Sequence, residues 1–410
     1  MILEGRWELT IESTMGAQRA WLELEARDRG LTGWLSGSFG SAAVRCAHAI
    51  EPELSWTAHV QEPLPMTLEF SAHVEGDVMN GAVRLGTLGK ASFTGRRATD
   101  PDDRERAPIE DLWDEIRALE LEPYVGELDT LGYTVVPPAV AFPDGLADRL
   151  LDAVLDVAER RTGTRPDIAT NAVADASARA ASGMPLGDTM PFLLQEGRAF
   201  EEALMNRALL ALVTHLCGRS VVLSSMFTSI KGPNPVTLPL HADNRLPSPL
   251  PPYAVVCNAT IALTEYTRKG GCLAVVPGSH RVAHPPQGQE AQLGPGGNPR
   301  AIPVECEAGS LIVWHGNTWH GAYPRSEPGL RVSLVQYFSR PQLRTLDDLR
   351  DQISQNLLDR NPARFAVLTQ QGLADGFTSP DDMKRRKARA GKVMAEAGLS
   401  AGEFTPTLDG

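Results

Sequence analysis

Leu311-Ile312-Val313-Trp314-His315-Gly316-Asn317-Thr318-Trp319-His320-Gly321 is an apolar run that closes on two histidines with a glycine between them. A short apolar run bounded by turn residues reads as a buried strand, and this one ends on His320. Arg331 opens the next strand-like run, Arg331 to Phe338. Upstream, the chain holds His241-Ala242-Asp243 between an apolar stretch and a proline-rich loop. Side chains alternate along a strand, so His241 and Asp243 share a face and Ala242 points away. Two imidazoles and one carboxylate from distant strands are the donor set of a non-haem Fe(II) centre that keeps its other positions open. The set requires the strand ending in His320 to fold back onto the segment carrying His241.

The strands that could do this lie at Ser220–Leu223, Tyr253–Leu263, Cys272–Val276, Ala301–Val304, Ser310–Trp314 and Arg331–Phe338. Helical spacing precedes them at Asp111–Leu121, Asp144–Arg160 and Phe200–Leu216. Helices followed by many strands with no helix between them predict a mostly β fold with flanking helices, a helix-backed double sheet of jelly-roll type. Residues 1–98 differ. They show about eight short alternating strands separated by turn signals, which predicts a small antiparallel β domain, a barrel or sandwich. The expected division is therefore residues 1–98, a charged proline-containing linker at 99–110, a core domain at 111–345 and a helical tail at 346–410. Two Gly/Pro-rich segments, 245–252 and 284–299, read as loops beside the mouth of a site.

The chain has 410 residues and a formal net charge of −12, a balance that argues against a general nucleic-acid binder. No apolar run reaches the length of a membrane span, and the first residues lack the pattern of a secretion signal. Five scattered cysteines, with no CxxC pair, fit small buried side chains in a reduced, cytoplasmic protein. Lys384-Arg385-Arg386-Lys387-Ala388-Arg389 reads as a solvated helix face.

Taken in order, His241-Ala242-Asp243, Pro277-Gly278-Ser279-His280-Arg281, the segment Trp314 to Gly321, and Arg331 resemble the phytanoyl-CoA dioxygenase family of Fe(II)- and 2-oxoglutarate-dependent oxygenases. The resemblance runs from about residue 125 to about residue 345 and implies a double-stranded β-helix core. It implies His241, Asp243 and His320 as metal ligands, Arg331 as the partner of the far 2-oxoglutarate carboxylate, and Fe(II), 2-oxoglutarate and O2 as cofactor and co-substrates. A guanidinium suits that carboxylate because its planar fork makes paired charge-assisted hydrogen bonds. His315 competes with His320, and the resemblance, through the family's spacing between the last ligand and the arginine, implies His320.

The chain departs from the family at three points. Ala322 stands where many members carry a hydroxyl, Val236 to Leu240 lacks their glutamine, and Arg268-Lys269-Gly270-Gly271 replaces Glu-Asn-Gly. Thr228 and Asn258 are candidates for the missing hydrogen bonds. Asp243 occupies the position that related halogenases leave to a halide, so the implied reaction is hydroxylation of a small-molecule substrate. The first domain lies outside the resemblance and looks faintly like a lipocalin. A ligand-binding two-barrel protein with an inactive or cupin-like metal site is the alternative. The prime substrate, the role of the first domain and any homo-oligomer stay open.

Overall fold

The computed structural model describes the chain apart from residues 1–2, 4, 14–15, 28–29, 38–39, 51, 61–65, 87–88, 98–109, 171–183 and 400–410. The fold is mostly β with several helices and divides into two compact units at Glu115/Ile116. The linker expected at 99–110 lies outside the described residues except for Glu110.

The first unit is a meander of eight strands: β1 (Gly5–Ser13), β2 (Gly16–Arg27), β3 (Gly30–Gly37), β4 (Gly40–Ile50), β5 (Glu53–Val60), β6 (Met66–Glu75), β7 (Val78–Leu85) and β8 (Lys90–Arg97). Each strand pairs antiparallel with the next, and β8 returns to β1, which closes a barrel. Alternation places Trp7, Leu9, Leu22, Trp56, Phe70 and Phe93 inside. Trp56 stacks on Phe70 with ring centroids 4.5 Å apart and meets Phe93 edge-on at 5.9 Å. An eight-stranded barrel is just wide enough for side chains to fill, and these aromatics fill it. Room for them comes from glycine: a Cβ on Gly81 would lie 2.7 Å from the Phe93 ring.

Helix α1 (Glu110–Ala118) spans the division, and the second unit goes on through α2 (Glu122–Leu131), α3 (Pro138–Ala141) and α4 (Leu146–Thr162), then α5 (Arg198–Leu204) and α6 (Arg207–Cys217). The helical spacing of Leu146, Leu150, Leu151, Val154 and Leu155 puts them on one stripe of α4, which is buried except at half-buried Leu151. The single helix expected over Phe200–Leu216 is two helices. The first ends at Leu204, and Asn206 caps the second, its side chain accepting from the Leu209 backbone N–H, a cap that satisfies one of the free N–H groups of a helix start.

Two antiparallel sheets follow. One has six strands in the order β10 (Asp188–Pro191), β11 (Val222–Lys231), β18 (Arg331–Ser339), β13 (Val256–Ala262), β16 (Leu311–His315), β9 (Tyr133–Val136). The other has four, β12 (Leu238–His241), β17 (His320–Ala322), β14 (Leu273–Val275) and β15 (Ile302–Val304). Helix α6 packs on β13, β16 and β18. The inner strands of the six-stranded sheet are covered on both faces: all seven residues of β13 and all five of β16 are buried.

The run 311–321 is thus not one strand. It leaves the larger sheet at His315, turns, and enters the smaller sheet at His320. Gly316 makes the turn possible, because a Cβ there would lie 2.5 Å from the Val256 carbonyl oxygen. The tail carries α7 (Gln355–Asp359), α8 (Ala363–Leu368) and α9 (Pro380–Glu396). Its basic run is only partly solvated. Arg386 is buried and pairs with Asp382 and Asp351, and Arg385 pairs with Asp382. Among the described residues no helix is long and apolar enough to cross a membrane.

Candidate metal centre

His241 and His320 face each other across the β12–β17 pair as direct cross-strand partners. Their ring centroids are 4.3 Å apart. Asp243 lies beyond the end of β12, so strand alternation alone does not place it. Its backbone N–H and that of Asn244 both donate to the Gly316 carbonyl, at 2.9 and 3.1 Å. The Asn244 side-chain Nδ2 then donates to Asn317 Oδ1 at 2.8 Å. These bonds lock the segment after His241 onto the turn before His320. One ligand atom from each of His241, Asp243 and His320 lies within 4.8 Å of the others, which is metal-binding spacing.

The two imidazoles are held in the same tautomer. His241 Nδ1 lies 3.0 Å from the Pro239 carbonyl and His320 Nδ1 lies 2.9 Å from the Thr318 carbonyl. A carbonyl only accepts, so each Nδ1 carries the proton and each Nε2 keeps its lone pair. The Nε2 atoms point inward, 4.0 and 3.5 Å from the Asp243 carboxylate. Burial lowers the His320 pKa and outweighs the pull of Asp243, which keeps the ring neutral as a ligand must be. Asp243 Oδ2 accepts from Asn258 Nδ2 at 3.2 Å and from Trp314 Nε1 at 3.1 Å.

The triad opens into a cavity of about 130 Å³ between the two sheets. Arg331 lies in the same cavity, 3% exposed. Its guanidinium donates to the Gly271 carbonyl and to Ser229 Oγ, the latter at 3.2 Å, and approaches the Tyr266 ring. Arg331 Nε, Thr260 Oγ1 and Asn258 Oδ1 are buried without a partner. Leu186, Phe227, Leu238, Ile312 and Val335 give the cavity its apolar walls.

The structure therefore brings together His241, Asp243, His320, Arg331 and Asn258. Thr228 does not join them: its hydroxyl donates to the Ser333 carbonyl at 2.8 Å, and its neighbour Ser229 lines the cavity instead. His315 faces His280, ring centroids 5.4 Å apart, and its Nδ1 accepts from the Asn317 amide. Burial pushes His315 down to about 3. Of the two tryptophans beside the site, Trp314 lines the cavity, while Trp319 packs in the core with its N–H on the His284 carbonyl. Ser229, Thr260 and Tyr266 escaped the sequence reading. Their only signal was two-residue alternation with other cavity residues, which is unreadable before the strand pairing is known.

The family model for phytanoyl-CoA dioxygenase matches residues 128–332. Two uncharacterised proteins, Mb1539 of Mycobacterium bovis and Rv1501 of Mycobacterium tuberculosis, are each 30% identical over 129 residues, 31% of this chain. The match spans 44% of the length of each of these relatives. Among solved structures, HygX from Streptomyces hygroscopicus with nickel and 2-oxoglutarate bound is 17% identical, with 53% of this chain and 86% of that one covered and a TM-score of 0.41. The epimerase SnoN, in complex with Fe3+, alpha ketoglutarate and nogalamycin RO, is 20% identical over 58% of this chain and 93% of its own, with a TM-score of 0.40.

Proposed function

The chain belongs to the phytanoyl-CoA dioxygenase family, a family of oxygenases, and from that premise we propose that it hydroxylates a C–H bond of a small-molecule metabolite while 2-oxoglutarate is decarboxylated to succinate. The observation that carries the reading is the inward-facing triad His241, Asp243, His320 in one cavity with Arg331. The orphaned polar atoms of Arg331, Thr260 and Asn258 support it, because buried polar groups without partners mark a place for a polar guest. A water needs roughly 10–15 Å³ of such space, so the cavity has room for a small dicarboxylate.

In this reading His241, Asp243 and His320 hold Fe(II), and Arg331 with Ser229 receives the far carboxylate of 2-oxoglutarate. The iron, with 2-oxoglutarate and O2, supplies the oxidising power, and the protein supplies position. Asn258 and Trp314 hold one oxygen of Asp243 and leave Oδ1 for the metal. The apolar walls exclude water and receive the carbon to be oxidised. Asp243 occupies the place a halide would need, which favours hydroxylation. The two sheets are then the halves of a jelly roll, residues 111–345 the oxygenase domain, 1–98 an accessory barrel and 346–410 a helical tail. The buried free thiols of Cys217, Cys257 and Cys272 suit a reducing, cytoplasmic setting. The alternative, capture of an apolar ligand by the first barrel, finds no support in an interior packed with tryptophan and phenylalanine.

The test is anaerobic titration of the Fe(II)-loaded protein with 2-oxoglutarate, followed by the visible charge-transfer absorption of the chelate. The expected result is absorption in the wild type and in His315→Ala, and none in His320→Ala. Iron-loaded wild type without that absorption would sink the proposal. Loss of O2 uptake in Arg331→Ala, with iron retained, separates this reading from a cupin-like enzyme that does not use 2-oxoglutarate.

A further inference from the structure

Lys231 is the last residue of β11 and is fully buried. It lies directly opposite Arg331 in the β11–β18 pair. Residues two apart on a strand share a face, so Lys231 continues the row of Phe227 and Ser229, which line the cavity. Its Nζ donates to the Tyr323 carbonyl at 2.9 Å, the residue after Ala322. Arg325 completes the group, donating to the carbonyls of Gly329, Gly270 and Pro328. Three buried cations thus share one corner of the second unit.

Their neutralisation is incomplete. Glu327 acts on Arg325, whereas the hydrogen-bond partners of Lys231 and Arg331 are neutral carbonyls and a hydroxyl. Among the described residues no carboxylate makes an ion pair with either. Asp188 on β10 is opposite Ile230 and shares that residue's face, away from Lys231. Tyr266 and Tyr323, whose phenols burial pushes up, are uncharged neighbours. Burying unpaired charge is costly and is relieved by losing a proton or gaining a counter-ion. Burial first, then Arg331 and Arg325, hold the Lys231 ammonium down to about 7.

Resting on the co-substrate reading above, we propose that Lys231 is a positioning residue that acts through Arg331. It takes up a proton when the far carboxylate of 2-oxoglutarate settles on Arg331, so co-substrate affinity falls as pH rises. With the subsite empty, Lys231 loses its proton near neutrality. A bound carboxylate brings negative charge beside it and restores the ammonium. Between the two titrations the complex holds one proton more than the free protein, so binding weakens with rising pH, by at most about tenfold per pH unit.

The experiment uses the full chain loaded with Mn(II), without O2, and reads binding rather than turnover. Calorimetric titrations run from about pH 6 to about pH 8.5, around the Lys231 value of about 7, in two buffers of different ionisation heat. Each is done with 2-oxoglutarate and with 2-oxobutyrate, which chelates the metal but has no far carboxylate. Proton uptake with 2-oxoglutarate beyond that with 2-oxobutyrate, and a Kd that rises with pH, are the expected results. Lys231→Met should abolish both. Lys231→Arg, permanently charged, should bind tightly with no slope. The proposal is overturned if the two ligands take up equal protons in the wild type, or if the slope survives in both variants. That wild-type comparison decides even where a variant fails to fold. Absence of 2-oxoglutarate binding to the metal-loaded wild type at every pH would instead refute the co-substrate reading, and this inference with it.

Discussion

Trp314 Nε1 donates to Asp243 Oδ2 at 3.1 Å, on the carboxylate oxygen 3.5 Å from His320 Nε2. An indole N–H only donates, so this bond fixes which way the carboxylate turns before any metal arrives. Trp314→Phe keeps the cavity wall and removes the donor. Groups that orient metal ligands are worth about 10–100-fold in metal affinity. We expect a loss of that size for Fe(II) or Mn(II), measured by competition with a chelator, with little change in melting temperature.

His315 is kept neutral by burial, at about 3, whereas an unfolded histidine titrates near 6.5. As pH falls, the unfolded chain binds the proton first. Stability from this group is therefore complete above the unfolded value and is lost progressively as pH drops toward the folded one. Urea unfolding between neutrality and mild acid should show a contribution of up to about 1.4 kcal/mol per pH unit. The same contribution should be missing from His315→Asn. Parallel pH curves for the two proteins would contradict it.

Ser279 holds the turn that delivers His320. Its hydroxyl accepts from the Trp319 amide at 2.8 Å and donates to the Val276 carbonyl at 2.6 Å. Ser279→Ala strands a buried N–H next to a metal ligand. The cost should be about 1–3 kcal/mol, seen as a lower denaturation midpoint. Weaker metal binding should accompany it.

Trp56 fills the first barrel beside Phe70 and Phe93. Trp56→Ala should destabilise that unit by roughly 3–5 kcal/mol. Metal affinity should be unchanged, since none of the three candidate ligands His241, Asp243 and His320 lies in residues 1–115. Equal loss of metal binding and barrel stability would show that the two units do not behave independently.

The barrel was legible because its strands alternate cleanly: β5 is buried at every second residue, as its sequence reads. The core sheet was legible in position but not in detail, since buried strands lose alternation and one apolar run can conceal a change of sheet, as 311–321 does. Short β12 and the edge strands β9 and β10 are too brief to leave a pattern. Thr228 turns its hydroxyl to the Ser333 carbonyl while its neighbour Ser229 lines the cavity, because one residue in a strand is the difference between its two faces.

Residue chemistry marked His241, Asp243, His320 and Arg331 as candidates, since two imidazoles and a carboxylate are a metal donor set, and the family resemblance chose His320 over His315. What the tertiary structure decided is which atoms meet. Cross-strand register put His241 opposite His320, turn-to-turn hydrogen bonds swung Asp243 into place, and sheet pairing set Lys231 against Arg331. Those relationships join residues up to a hundred positions apart, and hydrogen bonding between strands, rather than any local preference, fixes them.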